Sequence, residues 1–210
     1  LFASKKSAGS KVQFLGQNYI IQELTETSFN FKFDYAIFCA GGAVSKKFIP
    51  IAVKSGCIVI DNSSVYRMDK NVPLVVPEVN PEDVKWHKGI ISNPNCTTII
   101  ALVALAPLNK YARIKRIIAS TYQAVSGAGK EAMEELENQV RNYSIGKRFE
   151  IKAFKHQICF NLIPQIDAFD KNGYTKEELK MLNESKKILH SQYLKVNCTC
   201  VRVPIFRSHS

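Results

Sequence analysis

A continuous apolar run, Tyr35–Cys39, ends at Ala40-Gly41-Gly42, and a helical stretch closed by Gly56 separates it from a second apolar run, Cys57–Ile60. Runs apolar at every position read as strands buried on both faces, and a helix between two of them is the β-α-β unit of a parallel sheet. Ser45 is read as the N-cap of a helix over Lys46–Ser55, and Asp61 ends the second strand. The pattern then recurs: Gly89–Ser92 leads through Asn93-Pro94-Asn95 into an apolar helix over Thr97–Leu108, which puts Cys96 at a helix start. Lys11–Phe14 and Tyr19–Leu24 read as short strands flanking Gly16, and residues 71–80, with Pro73 and Pro77, as an extended, ligand-bordering segment and not a central strand.

The second half has a strand over Ile114–Tyr122, a glycine loop Ser126-Gly127-Ala128-Gly129, and a helix from Lys130 to about Tyr143 with Met133, Leu136 and Val140 at helical spacing. A further helix over Lys176–His190 is signalled by Thr175 and Glu178 as a capping box, and Lys195–Ile205 alternates as a strand does. With 210 residues, 46% hydrophobic and 22% charged, the composition is that of a globular chain with a packed core. The apolar run Ile99–Leu108 is about half of the ~20 residues a membrane helix needs, so a soluble, intracellular protein without a membrane partner is expected. The net charge is +11, but the basic residues fall in twos and threes with no RNP-like or zinc-finger segment, which argues against nucleic acid and leaves a phosphorylated small molecule as an anionic partner. The six cysteines lack a C-x-x-C pair or a metal-like Cys/His spacing, so no metal is expected.

Ser92-Asn93-Pro94-Asn95-Cys96-Thr97-Thr98 is the sharpest chemical feature. A thiol at a helix N-terminus faces unpaired backbone N–H groups and the positive end of the dipole, the setting that makes a cysteine a nucleophile; the alternative is a buried small hydrophobe. Of the four histidines, His209 stands in a run with Arg202 and Arg207, as a possible base or as an exposed terminal residue. The turns at Ala40-Gly41-Gly42 and Ser126-Gly127 suit backbone approach to a cofactor or phosphate, and equally ordinary helix entry. Arg67, following Asp61-Asn62-Ser63-Ser64 at the carboxyl end of a strand, is placed to hold a phosphate or to lie at the surface.

Taken together, these segments resemble the aspartate-semialdehyde dehydrogenases from end to end. Ala3-Ser4-Lys5-Lys6-Ser7-Ala8-Gly9 is similar to the family's A-S-x-R-S-A-G segment, Phe38–Gly42 to its second cofactor turn, and Asp61–Met68 to its phosphate segment. Asn93–Thr98 resembles the nucleophile motif, Gln123–Gly127 the acyl-orienting segment, Glu184-Ser185-Lys186-Lys187 the E-T-K-K substrate motif, and Arg202–Ser210 the segment with the substrate arginine and catalytic histidine.

The resemblance implies an α/β chain: a Rossmann-type parallel-sheet NADP domain over 1–96, followed by an α+β catalytic and dimerisation domain over 97–210, each incomplete. It implies that the family's first strand and its glycine loop would precede Leu1 and that the remaining dimerisation domain would follow Ser210. The implied activity is NADP-dependent, phosphate-requiring interconversion of aspartate 4-semialdehyde and 4-aspartyl phosphate through a cysteine thioester. That reaction serves the synthesis of lysine and diaminopimelate, threonine, methionine and isoleucine, in the cytoplasm or, in a plant-like source, the plastid. The implied roles are Cys96 as nucleophile, His209 as base for its proton, Gln123 orienting the acyl chain, and Arg202, Glu184 and Lys187 binding substrate. Arg67 and Asn95 would bind phosphate, and Lys6, Ser7, Ala40, Gly41, Ser126 and Gly127 the NADP, with Lys6 standing where the family usually has arginine. A homodimer or homotetramer is implied. The competing readings are another phosphorylating aldehyde dehydrogenase, such as N-acetyl-glutamyl-phosphate reductase or glyceraldehyde-3-phosphate dehydrogenase, and an inactive structural fragment; Glu184, Lys187 and Arg202 argue against the enzymatic rivals because they serve a free amino acid.

Overall fold

The computed structural model describes residues 1–210, and its contacts divide the chain into two compact units, Leu1–Pro94 and Asn95–Ser210. That boundary lies two residues before the 96/97 division read from sequence, because Asn95 makes its side-chain hydrogen bonds to residues of the second unit.

In the first unit, β1 (Phe2–Ala3) pairs in parallel with β4 (Gln22–Glu23), and β2 (Lys11–Phe14) forms an antiparallel hairpin with β3 (Gln17–Ile20). The single strand expected over Tyr19–Leu24 is therefore split at Ile21 between two sheets. The hairpin turn consists of Leu15 and Gly16, both with positive φ, the geometry that matches the twist of two-residue hairpins. The Rossmann-type core is the parallel sheet β5 (Tyr35–Phe38), β6 (Ile58–Asp61) and β7 (Ile90–Ser92), in that spatial order, with α1 (Gly42–Lys54) crossing between β5 and β6. Phe38, Phe48, Ile49, Ala52 and Val59 form its core with Phe29. Of residues 71–80, expected to be extended throughout, only the middle is: Leu74 bridges Ser92, whereas residues 77–79 turn, with the Val79 and Asn80 N–H groups donating to the Val76 carbonyl, before the short 3-10 helix Pro81–Trp86.

Ser45 is not the N-cap. The helix begins one turn earlier, after Gly41, whose φ of 82° lets the chain leave β5 in a sharp turn that a side chain would disfavour. Ser45 lies inside α1, fully buried, and its hydroxyl donates to Asp61 Oδ1 at 3.0 Å. Asp61 also accepts from the Ser63 N–H at 3.0 Å and the Ser63 hydroxyl at 2.8 Å, so one buried carboxylate ties α1 to the loop leaving β6.

In the second unit, α2 (Cys96–Tyr111) runs on past Pro107, and β8 (Arg116–Gln123) lies parallel to β9 (Lys195–Arg202), with α3 (Lys130–Ser144) and α4 (Lys176–Ile188) in the connection. The β8–β9 register pairs Gln123 with Arg202, the two residues at the carboxyl ends of the strands. The capping box is present: the Glu178 N–H donates to Thr175 Oγ1, and the Thr175 N–H donates to Glu178 Oε2 at 2.7 Å. The other Glu178 oxygen accepts from the Cys200 N–H, which fastens α4 to β9 over a core of Ile166, Met181, Cys198 and Cys200. On α3, Gln139 Oε1 accepts from the N–H groups of Ile158 and Cys159, holding the 150–160 segment against Leu136. No helix is long and apolar enough to cross a membrane.

Asp61→Ala should leave the Ser45 hydroxyl and the Ser63 N–H without their shared acceptor, at a cost of about 2–4 kcal/mol for losing several bonds to one buried charge. Urea unfolding checks this; a midpoint within error of the parent would remove Asp61 as the anchor of α1.

Candidate active site

The start of α2 is built around Asn95, whose φ and ψ are extended and whose side chain caps the helix: Oδ1 accepts from the N–H groups of Thr97 at 3.0 Å and Thr98 at 3.3 Å. Its own N–H donates to Glu184 Oε2 at 2.6 Å, and its Nδ2 to Glu177 Oε1 at 2.9 Å. Both carboxylates are buried on α4, seven residues apart and hence on one face. Cys96 is exposed, with Thr97 Oγ1 3.9 Å from its sulfur. Among the first-turn donors, the N–H groups of Asn95, Thr97 and Thr98 are thus occupied, while that of Cys96 has no protein acceptor.

The strand ends bring up the remaining groups. Gln123 is buried; its Nε2 donates to Glu177 Oε1 at 3.0 Å and its Oε1 accepts from the Thr121 hydroxyl at 2.9 Å. Arg202, also buried, donates from Nη1 to the Ala124 carbonyl at 2.5 Å. The C-terminal segment is threaded along residues 122–126: Tyr122 and Ser210 exchange backbone hydrogen bonds, and the N–H groups of Val125 and Ser126 donate to the Ile205 and Phe206 carbonyls. That threading sets His209 so that Nδ1 accepts from the Ala124 N–H at 3.0 Å. An imidazole nitrogen that accepts a hydrogen bond carries no proton in the neutral ring, so the proton of His209 sits on Nε2. A Cβ built on Gly127 would lie 3.0 Å from Arg202 Nη1 and from His209 Nε2, so the arginine and the imidazole both border this position, and a side chain here would have to push them aside by a few tenths of an ångström.

Charge follows the same map. Burial pushes the Glu177 carboxyl up, but the Lys180 ammonium and hydrogen bonds from Gln123, Asn95 and Lys180 outweigh it and hold the acid below its ordinary value. Lys180, bonded to Glu177 at 3.0 Å and Asp167 at 3.2 Å, is held above its ordinary value despite burial. Burial lowers Arg202, with Glu177 and the Cys96 sulfur opposing. Burial and then Arg202 lower His209, with Glu177 opposing.

The family model of the semialdehyde dehydrogenase NAD binding domain matches residues 1–87, and that of the dimerisation domain matches residues 105–210. The chain belongs to the semialdehyde dehydrogenase family. Its sequence is 55% identical to the aspartate-semialdehyde dehydrogenase of Campylobacter jejuni and 52% identical to that of Aquifex aeolicus, over 99% and 100% of this chain and 62% and 63% of theirs. The chain therefore spans somewhat less than two thirds of the relatives it matches. The crystal structure of aspartate semialdehyde dehydrogenase II from Vibrio cholerae complexed with ASA aligns with a TM-score of 0.96 at 47% identity, covering 99% of this chain and 62% of that one. The enzyme from Candida albicans with NADP aligns at 0.71 and 25% identity, covering 99% of this chain and 61% of that one.

Of the residues that resemblance to this family assigns, the second unit brings together Asn95, Cys96, Gln123, Gly127, Glu184, Arg202 and His209. Lys187 is half-buried one turn beyond Glu184 on α4, and Ser126 is half-buried in the loop after β8. In the first unit, Lys6 is exposed and Ser7 half-buried in the turn closed by bonds from Ser7 and Ala8 N–H to the Ser4 carbonyl, and Ala40 and Gly41 are exposed at the carboxyl end of β5. Arg67 is buried, donating from Nε to the Asn93 carbonyl at 2.9 Å and from Nη2 to the Asn62 carbonyl at 3.0 Å, and so braces the loops after β6 and β7. Sequence reasoning missed Glu177 and Lys180. The available signal was spacing, since Glu177 precedes Glu184 by two helical turns.

Two measurements follow from this geometry. The His209 ring should titrate below the ordinary histidine value of about 6.5. Because its folded value lies under its unfolded one, its contribution to stability is complete above the unfolded value and is lost as pH falls through the folded one. NMR titration of the ring Cε1–H checks this, and a midpoint at or above 6.5 contradicts it. Gly127→Ala should displace Arg202 and His209, lowering turnover of the full-length protein by about 10- to 100-fold with little change in its unfolding midpoint; unaltered turnover would show that the two side chains do not need this clearance.

Proposed function

We propose that the chain carries the reaction centre of an NADP-dependent, phosphorylating aspartate-semialdehyde dehydrogenase, interconverting aspartate 4-semialdehyde and 4-aspartyl phosphate. The observation that carries this reading is a thiol on a capped helix start, linked through Asn95, Glu177 and Gln123 to the strand ends where Arg202 and His209 border Gly127. In the oxidative direction the Cys96 sulfur attacks the aldehyde carbon. The developing oxyanion takes a hydrogen bond from the Cys96 N–H, the unoccupied donor of the helix start, and from His209 Nε2–H. His209 accepts the thiol proton at Nε2 from the tautomer that carries its own proton at Nδ1, for which the Ala124 N–H gives up its bond to Nδ1, and the imidazolium so formed donates Nε2–H to the oxyanion. The thioester on Cys96 is then opened by inorganic phosphate, and biosynthesis runs the sequence in reverse.

Arg202 offers a planar fork, already oriented by Ala124, to the substrate carboxylate, and the carboxylate of Glu184 supplies the negative charge an α-ammonium group requires. In the second unit Lys187 adds positive charge for phosphate and substrate, Gln123 orients the acyl chain and Asn95 serves the phosphate; in the first, Arg67 is the residue that the family motif assigns to phosphate. For the dinucleotide the residues present are suitable: no side chain caps α1, leaving its first-turn N–H groups for an anion beside Ala40 and Gly41, and Lys6 and Ser7 offer a cation and a hydroxyl to a 2′-phosphate. Ser126 and Gly127 would border the nicotinamide. When bound, NADP supplies the hydride acceptor in one direction and the hydride donor in the other. The exposed Ile118 and Tyr122 on the open face of β8 support self-association as a dimer or tetramer. The product would feed synthesis of lysine, diaminopimelate, threonine, methionine and isoleucine in the cytoplasm or a plastid.

In the full-length protein, phosphate-dependent reduction of NADP by aspartate 4-semialdehyde should fall by at least ~10³-fold in Cys96→Ser, because an alcohol ionises far less readily than a thiol. A rate near that of the parent would remove the thioester from the mechanism.

A further inference from the structure

We propose that Glu177 is a positioning residue for the Cys96 nucleophile and for Gln123. The inference deepens the reaction proposed above and rests on it for its effect on turnover, although its effect on the thiol does not. Glu177 is buried in the first turn of α4, and one oxygen, Oε1, accepts from two side-chain amides at once: Asn95 Nδ2 at 2.9 Å and Gln123 Nε2 at 3.0 Å. Its other oxygen is held by Lys180 Nζ at 3.0 Å, and Lys180 is in turn held by Asp167.

An amide side chain has a donor end and an acceptor end of nearly the same shape, and only its partners decide which way round it lies. By taking the NH2 end of Asn95, Glu177 leaves Oδ1 facing the Thr97 and Thr98 N–H groups, which is the orientation that caps α2. Reversed, the amide would set its NH2 against those N–H groups and uncap the helix that carries Cys96. By taking the NH2 end of Gln123, Glu177 likewise leaves Oε1 to accept from Thr121 and fixes the amide at the end of β8. Glu184 holds the backbone of Asn95 while Glu177 holds its side chain, so two carboxylates on one face of α4 define the helix start from both sides. Lys180, shared with Asp167, offsets part of the charge of Glu177, and the role inferred for Glu177 is orientation of its neighbours.

The test uses two full-length double variants of equal charge, Glu177→Gln with Lys180→Met and Glu177→Ala with Lys180→Met. Both remove the ion pair, and only the first retains an oxygen that can accept from Asn95 and Gln123. Alkylation of Cys96 by iodoacetamide, located by peptide mass mapping because Cys39 is also exposed, should be about tenfold slower in the alanine variant than in the glutamine variant. The turnover number kcat should fall by a similar factor, with KM for the semialdehyde changed by less than about twofold. A merely structural role would lower the folded fraction, read by urea unfolding and alkylation stoichiometry, without altering the rate per reactive thiol. If the two variants alkylate within about twofold of each other, Glu177 does not position Cys96. If neither the parent nor the variants oxidise the semialdehyde, the proposed reaction is wrong while the alkylation ratio still decides the role of Glu177.

Discussion

Asn95 is the residue on which the catalytic unit turns. A helix start leaves backbone N–H groups without internal partners, and here two of them are taken by the Asn95 side chain while the backbone and amide of Asn95 are taken by Glu184 and Glu177. The result is a helix N-terminus whose donors are all assigned except that of Cys96, directly beside the exposed sulfur. The cost of burying two carboxylates on α4 is offset by the bonds they accept and by Lys180, and their placement on one face joins α4 to the start of α2.

The parallel pairing of β8 with β9 does comparable work for Gln123, Arg202 and His209. Register alone sets Gln123 against Arg202, and the backbone beyond them turns so that the Ala124 carbonyl takes the guanidinium and the Ala124 N–H takes the imidazole. One residue, through its carbonyl and its N–H, thereby orients both the Arg202 guanidinium and the His209 ring. Gly127 completes the arrangement by having no Cβ to press on the two side chains that border it. In the other unit, Asp61 has the corresponding part: a carboxylate at the end of β6 gathers hydroxyls from α1 and from the following loop, which Arg67 braces through two main-chain carbonyls.

Much of this was legible in the chain. The β-α-β alternation gives the parallel sheet, although β5 is not buried on both faces as its apolar run predicts: Ala36 and Phe38 pack on the core while Tyr35 and Ile37 are exposed; Thr175 with Glu178 marks the start of α4 by a reciprocal pair of bonds that is local in sequence. Cys96 at a helix start follows from the Asn-Pro-Asn turn, and the motif resemblance named the residues that the second unit gathers. Ser45 was misread because a serine before a helical run is a good cap by propensity, whereas its hydroxyl goes to Asp61 across the sheet and the sharp turn falls to Gly41. The split of Tyr19–Leu24 between two sheets was invisible for the same reason: a strand's partner is not written in its own residues.

Sequence by itself determined most of the elements, a cysteine at a helix start and the family, since these rest on local propensity, short spacings and motifs that survive as contiguous residues. Only the tertiary structure decided which end of each amide faces which partner, which nitrogen of His209 holds the proton, and that Glu177 and Lys180 belong to the site. Those outcomes depend on hydrogen bonds between groups as far apart as Asn95 and Glu184 or Ala124 and His209, whose directions are fixed by packing of α4 and by the β8–β9 register and by nothing in the neighbouring residues.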